Sequence, residues 1–341
     1  MLREVKSKQL KSRLSYFQTT SAAGPVISGS VGVADSSSLS VTGGFVQSVA
    51  LREPFRQKAV YIASQGTQDG GCVAQEGATS VSTLSSSVRD VADSAVEGLT
   101  NYLCIGANSP TIDSLPASNI LSSIDRTRLI WGKISSAGVV QIGTTDFSVT
   151  TSATGLYTIT YKKAFGRNAL AFATPIYSDF IGPKITNQTA KGCTVFLGDN
   201  SSTGVDCPFY ILAVGTDSRE ETGRGDHPVL NSQRKPRIEC AQFTVTGGTP
   251  TLTVGTKIVA LTDNGTGDFS LTLATPFKRE FASFALSGGA GTTGLSCVLT
   301  TANTTSVTRI GTWAITPAIT DPTLGSAVNV IMIGSDDVGI Y

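Results

Sequence analysis

The chain repeats itself three times, and no other feature limits its possible folds so strongly. Val49-Ala-Leu51-Arg-Glu-Pro54-Phe55 is followed by Val60-Tyr-Ile62-Ala63. Ile159-Thr-Tyr161-Lys-Lys-Ala164-Phe165 is followed by Leu170-Ala-Phe172-Ala173. Leu271-Thr-Leu273-Ala-Thr-Pro276-Phe277 is followed by Ala282-Ser-Phe284-Ala285. The shared Phe positions lie 110 and then 112 residues apart. Two further marks follow in the same order. A cysteine opens a later apolar stretch (Cys72, Cys193, Cys297), and an apolar segment then closes on glycine (Tyr102 to Gly106, Ile211 to Gly215, Val330 to Gly334). Three marks in one order imply a tandem duplication.

Each unit reads as β structure. Tyr157-Thr-Ile159-Thr-Tyr161 and Phe269-Ser-Leu271-Thr-Leu273 alternate with the period of a half-buried strand. Turn residues, such as Asp263 to Asp268, separate the strands. The second strand of the motif, Ala169 to Ala173, is apolar on both parities and is expected in mid-sheet. The Pro/Ala-Phe corner joins the two strands, with Phe closing one end of the core. The expected fold is all-β: three tandem β-sandwich domains of about 90–100 residues with a short basic N-terminal arm. The boundaries read as an arm at 1–20, repeat 1 at 21–108, a linker at 109–127, repeat 2 at 128–217, a charged linker at 218–235 and repeat 3 at 236–341. The third repeat carries an insertion around Thr308 to Leu324. Val88 to Leu99 reads as a helix or a loop. The repeats are expected to be separable, with first cleavage near Arg219 to Arg237 and a second near Arg126 or Arg128.

Composition narrows the chemistry. Lys and Arg number 26 and Asp and Glu 25, so only 15% of residues are charged and the net charge is +1. A strongly basic nucleic-acid binder is excluded. A single histidine, His227, rules against a Ser-His-Asp triad, a Cys-His pair or a two-histidine metal site. The six cysteines (72, 104, 193, 207, 240, 297) show no Cys-x-x-Cys spacing, which leaves buried small hydrophobes as their reading. The longest apolar run is Phe209 to Val214, far short of the ~20 residues that a membrane helix needs. No secretory signal is visible at Met1 to Phe17. No cofactor, no nucleic acid and no membrane partner is expected.

The arm holds the one candidate partner-binding set: Arg3, Lys6, Lys8, Leu10, Lys11, Arg13, Leu14 and Phe17. Leu10, Leu14 and Phe17 fall on one face of a short amphipathic helix, ordered by its own first sandwich or by an acidic surface. Other motifs are weak. Arg224-Gly225-Asp226 matches an adhesion tripeptide. Asn187, Asn200, Asn264 and Asn303 head glycosylation sequons in a Thr-rich chain. Glu220-Glu221 and Asp336-Asp337 are paired carboxylates with nothing to set them across a cleft. Trp131 and Trp313 read as core or interface anchors before sugar platforms.

The strand with an aromatic lead (Tyr157, Phe269; Gln47 in the first repeat), the Pro/Ala-Phe corner, the Ala-rich second strand and the closing glycine strand resemble β-sandwich modules of tailed-bacteriophage virion proteins. Such modules occur in capsid decoration proteins, head fibres and tail fibres. The resemblance covers Gly44–Gly106, Gly155–Gly215 and Gly267–Gly334. It implies a non-enzymatic virion structural protein, assembled in the host cytoplasm and bound to the phage head through its N-terminal region. The implied partners are the major capsid protein or another virion protein, and further copies of the chain, a homo-trimer foremost. An alternative is a tail-fibre adhesin that binds host-surface glycan or a receptor through sandwich loops. A carbohydrate-active enzyme is the weaker alternative.

Overall fold

Strands that alternate hydroxyl and apolar side chains can pair only with a dry face turned to a second sheet, and the chain satisfies this three times over. A computed structural model describes residues 12–20, 27–31, 39–42, 46–50, 60–65, 73–76, 83–89, 99–107, 115–116, 127–144, 146–166, 168–177, 180–199, 201–216, 236–246, 248–255, 257–287, 295–314, 318–319 and 327–335. The fold is all β, and no helix occurs among the described residues.

The first repeat holds β1 (Ser12–Thr20), β2 (Ile27–Val31), β3 (Leu39–Thr42), β4 (Val46–Ala50), β5 (Val60–Gln65), β6 (Val73–Glu76), β7 (Thr83–Arg89) and β8 (Leu99–Ala107). A short β9 (Leu115–Pro116) follows. The second repeat holds β10 (Thr127–Ile134), β11 (Val140–Gly143), β12 (Phe147–Ala153), β13 (Leu156–Tyr161), β14 (Leu170–Pro175), β15 (Gly182–Thr186), β16 (Gly192–Gly198) and β17 (Phe209–Thr216). The third holds β18 (Pro236–Thr246), β19 (Thr249–Gly255), β20 (Ile258–Gly265), β21 (Asp268–Leu273), β22 (Ala282–Ser287), β23 (Leu295–Leu299), β24 (Val307–Ala314), β25 (Ala318–Ile319) and β26 (Ala327–Ser335).

One topology recurs in all three. Numbered within a repeat, one antiparallel sheet runs 5-8-1-2 and the other 6-7-4-3. The first sheets are β5-β8-β1-β2, β14-β17-β10-β11 and β22-β26-β18-β19. The second sheets are β6-β7-β4-β3, β15-β16-β13-β12 and β23-β24-β21-β20. The Phe corner carries the chain from the fourth strand of one sheet to the fifth strand of the other. The extra strand of the third repeat is β25, which pairs with β24. The insertion therefore begins after Ala314, because Thr308 to Ala314 form the seventh strand itself.

The three sandwiches close on one another in a ring. The fifth strands β5, β14 and β22 all pack against one another. The fifth strand of each repeat also meets the sixth strand of the next: β5 with β15, β14 with β23, β22 with β6. Two of these joints contain a parallel bridge, Lys184 with Gln65 and Ile176 with Leu299. The chain thus has a pseudo-threefold axis of its own. Ile130, Ile159, Val195 and Ile211 fill the interior of the second sandwich. Leu129, Trp131, Phe172 and Leu212 point the other way, into a core continuous with Tyr61, Leu103, Phe284 and Ile331 of the other repeats. The first sheet of repeat 2 is therefore dry on both faces, which explains the unbroken apolar run Phe209 to Val214.

Five expectations change. The second strand of the motif is not in mid-sheet in repeats 2 and 3: β14 and β22 are sheet edges, dry because neighbouring repeats cover them. Ser12 to Thr20 is a strand paired with β8, so Leu14 and Phe17 do not lie on a helix. Val88, Arg89 and Leu99 also lie in strands. The cysteines are not equivalent: Cys193 is in a seventh strand, Cys297 in a sixth, and Cys72 directly precedes a sixth. Separable sandwiches give way to a shared core. Even the 109–127 segment contributes, since Leu115 and Pro116 of β9 pair with Ile238 and Arg237 of repeat 3.

Candidate interaction surfaces

The expected anchor divides in two. Arg3, Lys6, Lys8, Leu10 and Lys11 lie outside the described residues. Arg13, Leu14 and Phe17 are built into β1 opposite Gly106, Ile105 and Tyr102. Their neighbours in register explain why. Arg13 faces Gly106 as Arg128 faces Gly215 and Arg237 faces Gly334. In the second repeat the Arg128 guanidinium sits 4.0 Å over the Phe165 ring, and its Nη2 donates to the Lys163 carbonyl at 2.7 Å. In the third, Arg237 sits 4.1 Å over Phe277 and donates to the Thr275 carbonyl at 2.7 Å. The Glu239 carboxylate lies 3.1 Å from Arg237 Nε, an ion pair buried on both sides. The closing glycine leaves room for the ring: a Cβ at Gly215 would lie 2.8 Å from Phe165, and one at Gly334 2.5 Å from Phe277. In repeats 2 and 3 the corner is thus an arginine, a phenylalanine and a glycine stacked together. Arg13 holds the same register position opposite the closing glycine of repeat 1, while Phe55 lies outside the described residues. The Phe and the Gly are legible in the sequence; the arginines are not, since Arg13 falls in the basic arm and Arg128 and Arg237 flank the polar linkers.

The joints between repeats are polar and wholly or partly buried. Asn101 Nδ2 donates to Gln188 Oε1 at 3.0 Å and to the Ala171 carbonyl at 3.2 Å. Ser64 Oγ donates to the same carbonyl at 2.8 Å. The Ala171 N–H donates to Gln188 Oε1 at 2.9 Å. These bonds satisfy edge groups of β14 that would otherwise be stranded away from water. The next joint uses the same positions with other residues. Five residues before the closing glycine, Asn101 becomes Tyr210, whose hydroxyl donates to Glu280 Oε1 at 2.5 Å. Lys133 Nζ donates to that oxygen at 2.8 Å, and the Asn303 N–H donates to Tyr210 Oη at 3.2 Å. Gln188 and Asn303 are equivalent, each two residues before the carbonyl that accepts the corner Phe N–H (Ala190 and Thr305). Asn329 holds the matching position in repeat 3, and Gln242 donates to it at 2.7 Å just as Gln18 donates to Asn101 at 2.7 Å. Burial, then the hydrogen bond to Glu280, drives the Tyr210 pKa far above its ordinary value, so this hydroxyl is a donor and not a base.

The outward faces of the second sheets carry hydroxyls in rows. Thr150, Thr158 and Thr194 lie side by side in repeat 2, and Thr262, Ser270 and Arg309 in repeat 3. Ser40, Ser48 and Ser85 hold the same register in repeat 1. Arg309 is held bidentately by Asp268. The outer-edge strands β2, β3, β11, β12, β19 and β20 carry a single charged residue, Asp263. Five of the six have register shifts against their partners, the exception being β3. Such bulges turn an edge away from further pairing. Val139, Tyr177, Leu252 and Val259 are exposed and lie on different segments.

The remaining candidates do not assemble. Cys104, Cys193, Cys207, Cys240 and Cys297 are buried. Burial pushes Cys193 and Cys207 up to about 12, which makes them poor nucleophiles. Trp131 is buried in the shared core. Asn303 is buried, with its Nδ2 donating to the Phe281 carbonyl at 2.7 Å, so its sequon is inaccessible. Asn187 and Asn264 are exposed. Cys72, Asn200, Glu220, Glu221, Arg224 to His227, Asp336 and Asp337 lie outside the described residues. Among the described residues no three His, Cys, Asp or Glu side chains gather as metal ligands. No helix among the described residues is long and apolar enough to cross a membrane. Comparisons with protein-family models, with curated proteins and with solved structures return no match.

Proposed function

We propose that the chain is a non-enzymatic structural component of a virion, in the manner of capsid decoration and head-fibre proteins. The observation that carries this reading is the ring. One sandwich module is used three times, its inner edges are consumed in joints between repeats, and its outer faces are hydroxyl-rich and nearly uncharged. Such faces bind through shape and backbone hydrogen bonds, and a repeated module multiplies weak contacts. The resemblance of the corner motif to phage β-sandwich modules supports the same reading. The N-terminal residues preceding β1 remain the proposed head-binding segment, now shortened to Arg3, Lys6, Lys8, Leu10 and Lys11.

The test is where the protein sits in purified particles, by electron microscopy of wild-type virions and of virions lacking residues 1–11. Density on the head that disappears with the truncation supports this reading. Density confined to the tail tip transfers the chain to the adhesin class. Absence from particles, or cleavage of a polysaccharide by the purified chain, overturns it.

A further inference from the structure

We infer that the chain is a self-closed trimer made from a single polypeptide: it acts as one copy, and its partner is a threefold cluster of identical protein subunits, one to each repeat. The partner half of this inference rests on the virion reading above; the single-copy half does not.

Three observations lead here. The first is closure. Contacts between fifth and sixth strands run from repeat 1 to 2, from 2 to 3 and from 3 back to 1. A head-to-tail contact that returns to its start makes a closed ring, and further copies have no place in it. Repeat proteins that stack in a line leave a bare interface at each end; among the described strands none of that kind is left.

The second is equivalence at residue level. Asn101 reaches across one joint to Gln188, and Tyr210 across the next to Asn303. These are the same two positions in successive repeats. The residues have diverged, with Lys133 and Tyr210 now gripping Glu280. In a homo-trimer every joint must be made by the same residues. Different residues at equivalent joints specify one order of repeats, which only a single chain can supply.

The third concerns the outside. Five of the six outer-edge strands are bulged, so the ring is not built to extend by edge pairing. What the second sheets repeat in register is a hydroxyl position, at Ser48, Thr158 and Ser270, and in repeats 2 and 3 the row around it faces outward. Three related surfaces around one axis match three identical subunits around an axis, and match a lone subunit in only one of the three places.

Two measurements on the full-length chain decide this. Light scattering after size exclusion should give a single species near the chain mass of 35.3 kDa at micromolar concentration. A stable species of three times that mass overturns the inference, whether it arises by swapping of repeats or by assembly of rings. The second is reconstruction of purified particles without imposed symmetry on the ring. One chain per threefold cluster of partner subunits is expected. Three chains per cluster, or a site with no threefold relation among the partner's subunits, overturns it. A chain missing from particles sinks the virion reading and the partner with it, while the mass measurement still decides the single-copy claim.

Discussion

Gly215 and Gly334 are small because an aromatic ring lies where a side chain would go. In Gly334→Ala the new Cβ would approach Phe277 at 2.5 Å, and Arg237 is stacked on the same ring. Overpacking of this kind costs about 1–3 kcal/mol. Combining it with Phe277→Leu should cost less than the sum of the two single changes, since a smaller side chain vacates the space. Denaturant titration of the four proteins checks this, and strict additivity would sink the clamp. A second prediction concerns alkaline pH. Burial raises the pKa of Cys193 and Cys207 from an ordinary 9.0 to about 12, and it also raises Tyr157, Tyr161 and Tyr210 from 10.0. The folded chain keeps these protons where the unfolded chain has released them. Stability from these groups is therefore full below pH 9 and is lost as pH rises through the folded values. Thermal melts should show Tm falling from about pH 9 upward, and Cys193→Ala together with Cys207→Ala should delay the onset towards pH 10.

At the level of elements, the joints make a measurable claim. Asn101 and Gln188 belong to different repeats, 87 residues apart, yet hydrogen-bond at 3.0 Å in a partly buried joint. Double-mutant cycles on residues sharing a buried network give coupling of about 0.5–3 kcal/mol, whereas independent sandwiches give none. The cycle of Asn101→Ala and Gln188→Ala should therefore show coupling in global stability. The strand pattern explains why the joint was not anticipated. Ala169 to Ala173 is dry on both parities, and a sequence cannot say whether a neighbouring strand or a neighbouring repeat keeps it dry. The non-equivalence of the cysteines is visible in the spacing: Phe-to-Cys separations are 17, 28 and 20 residues, and the middle one exceeds the others by about a strand and a loop.

At the scale of the whole molecule, a shared core requires shared unfolding. Phe172, Phe284 and Tyr61 come from three repeats and belong to one apolar cluster. The chain should melt in one cooperative transition, with calorimetric and van't Hoff enthalpies in agreement. Trypsin is expected to cut between 217 and 235, but not at Arg237, which is buried, nor at Arg128, which is held by Phe165 and the Lys163 carbonyl. The cut fragments should co-elute under native conditions and part only in denaturant. Three separate transitions, or free single-repeat fragments, would contradict the ring.

The sequence by itself determined the repeat, its β character and the corner Phe, because each is written in residues close together along the chain. Period-two alternation in Tyr157 to Tyr161 sets the dry face of a strand, and Pro or Ala before Phe sets a crossing between sheets. Low charge and a lone histidine likewise narrow the chemistry before any fold is known. The tertiary structure alone decided that the three sandwiches close into a ring, that Arg13 lies in a strand opposite a closing glycine and that Gln188 and Asn303 do the same work. Those facts depend on residues 70 to 147 positions apart meeting across strand edges. Edge contacts leave no periodicity of their own: an edge strand covered by a neighbour and a strand in mid-sheet bury the same side chains and satisfy the same backbone groups.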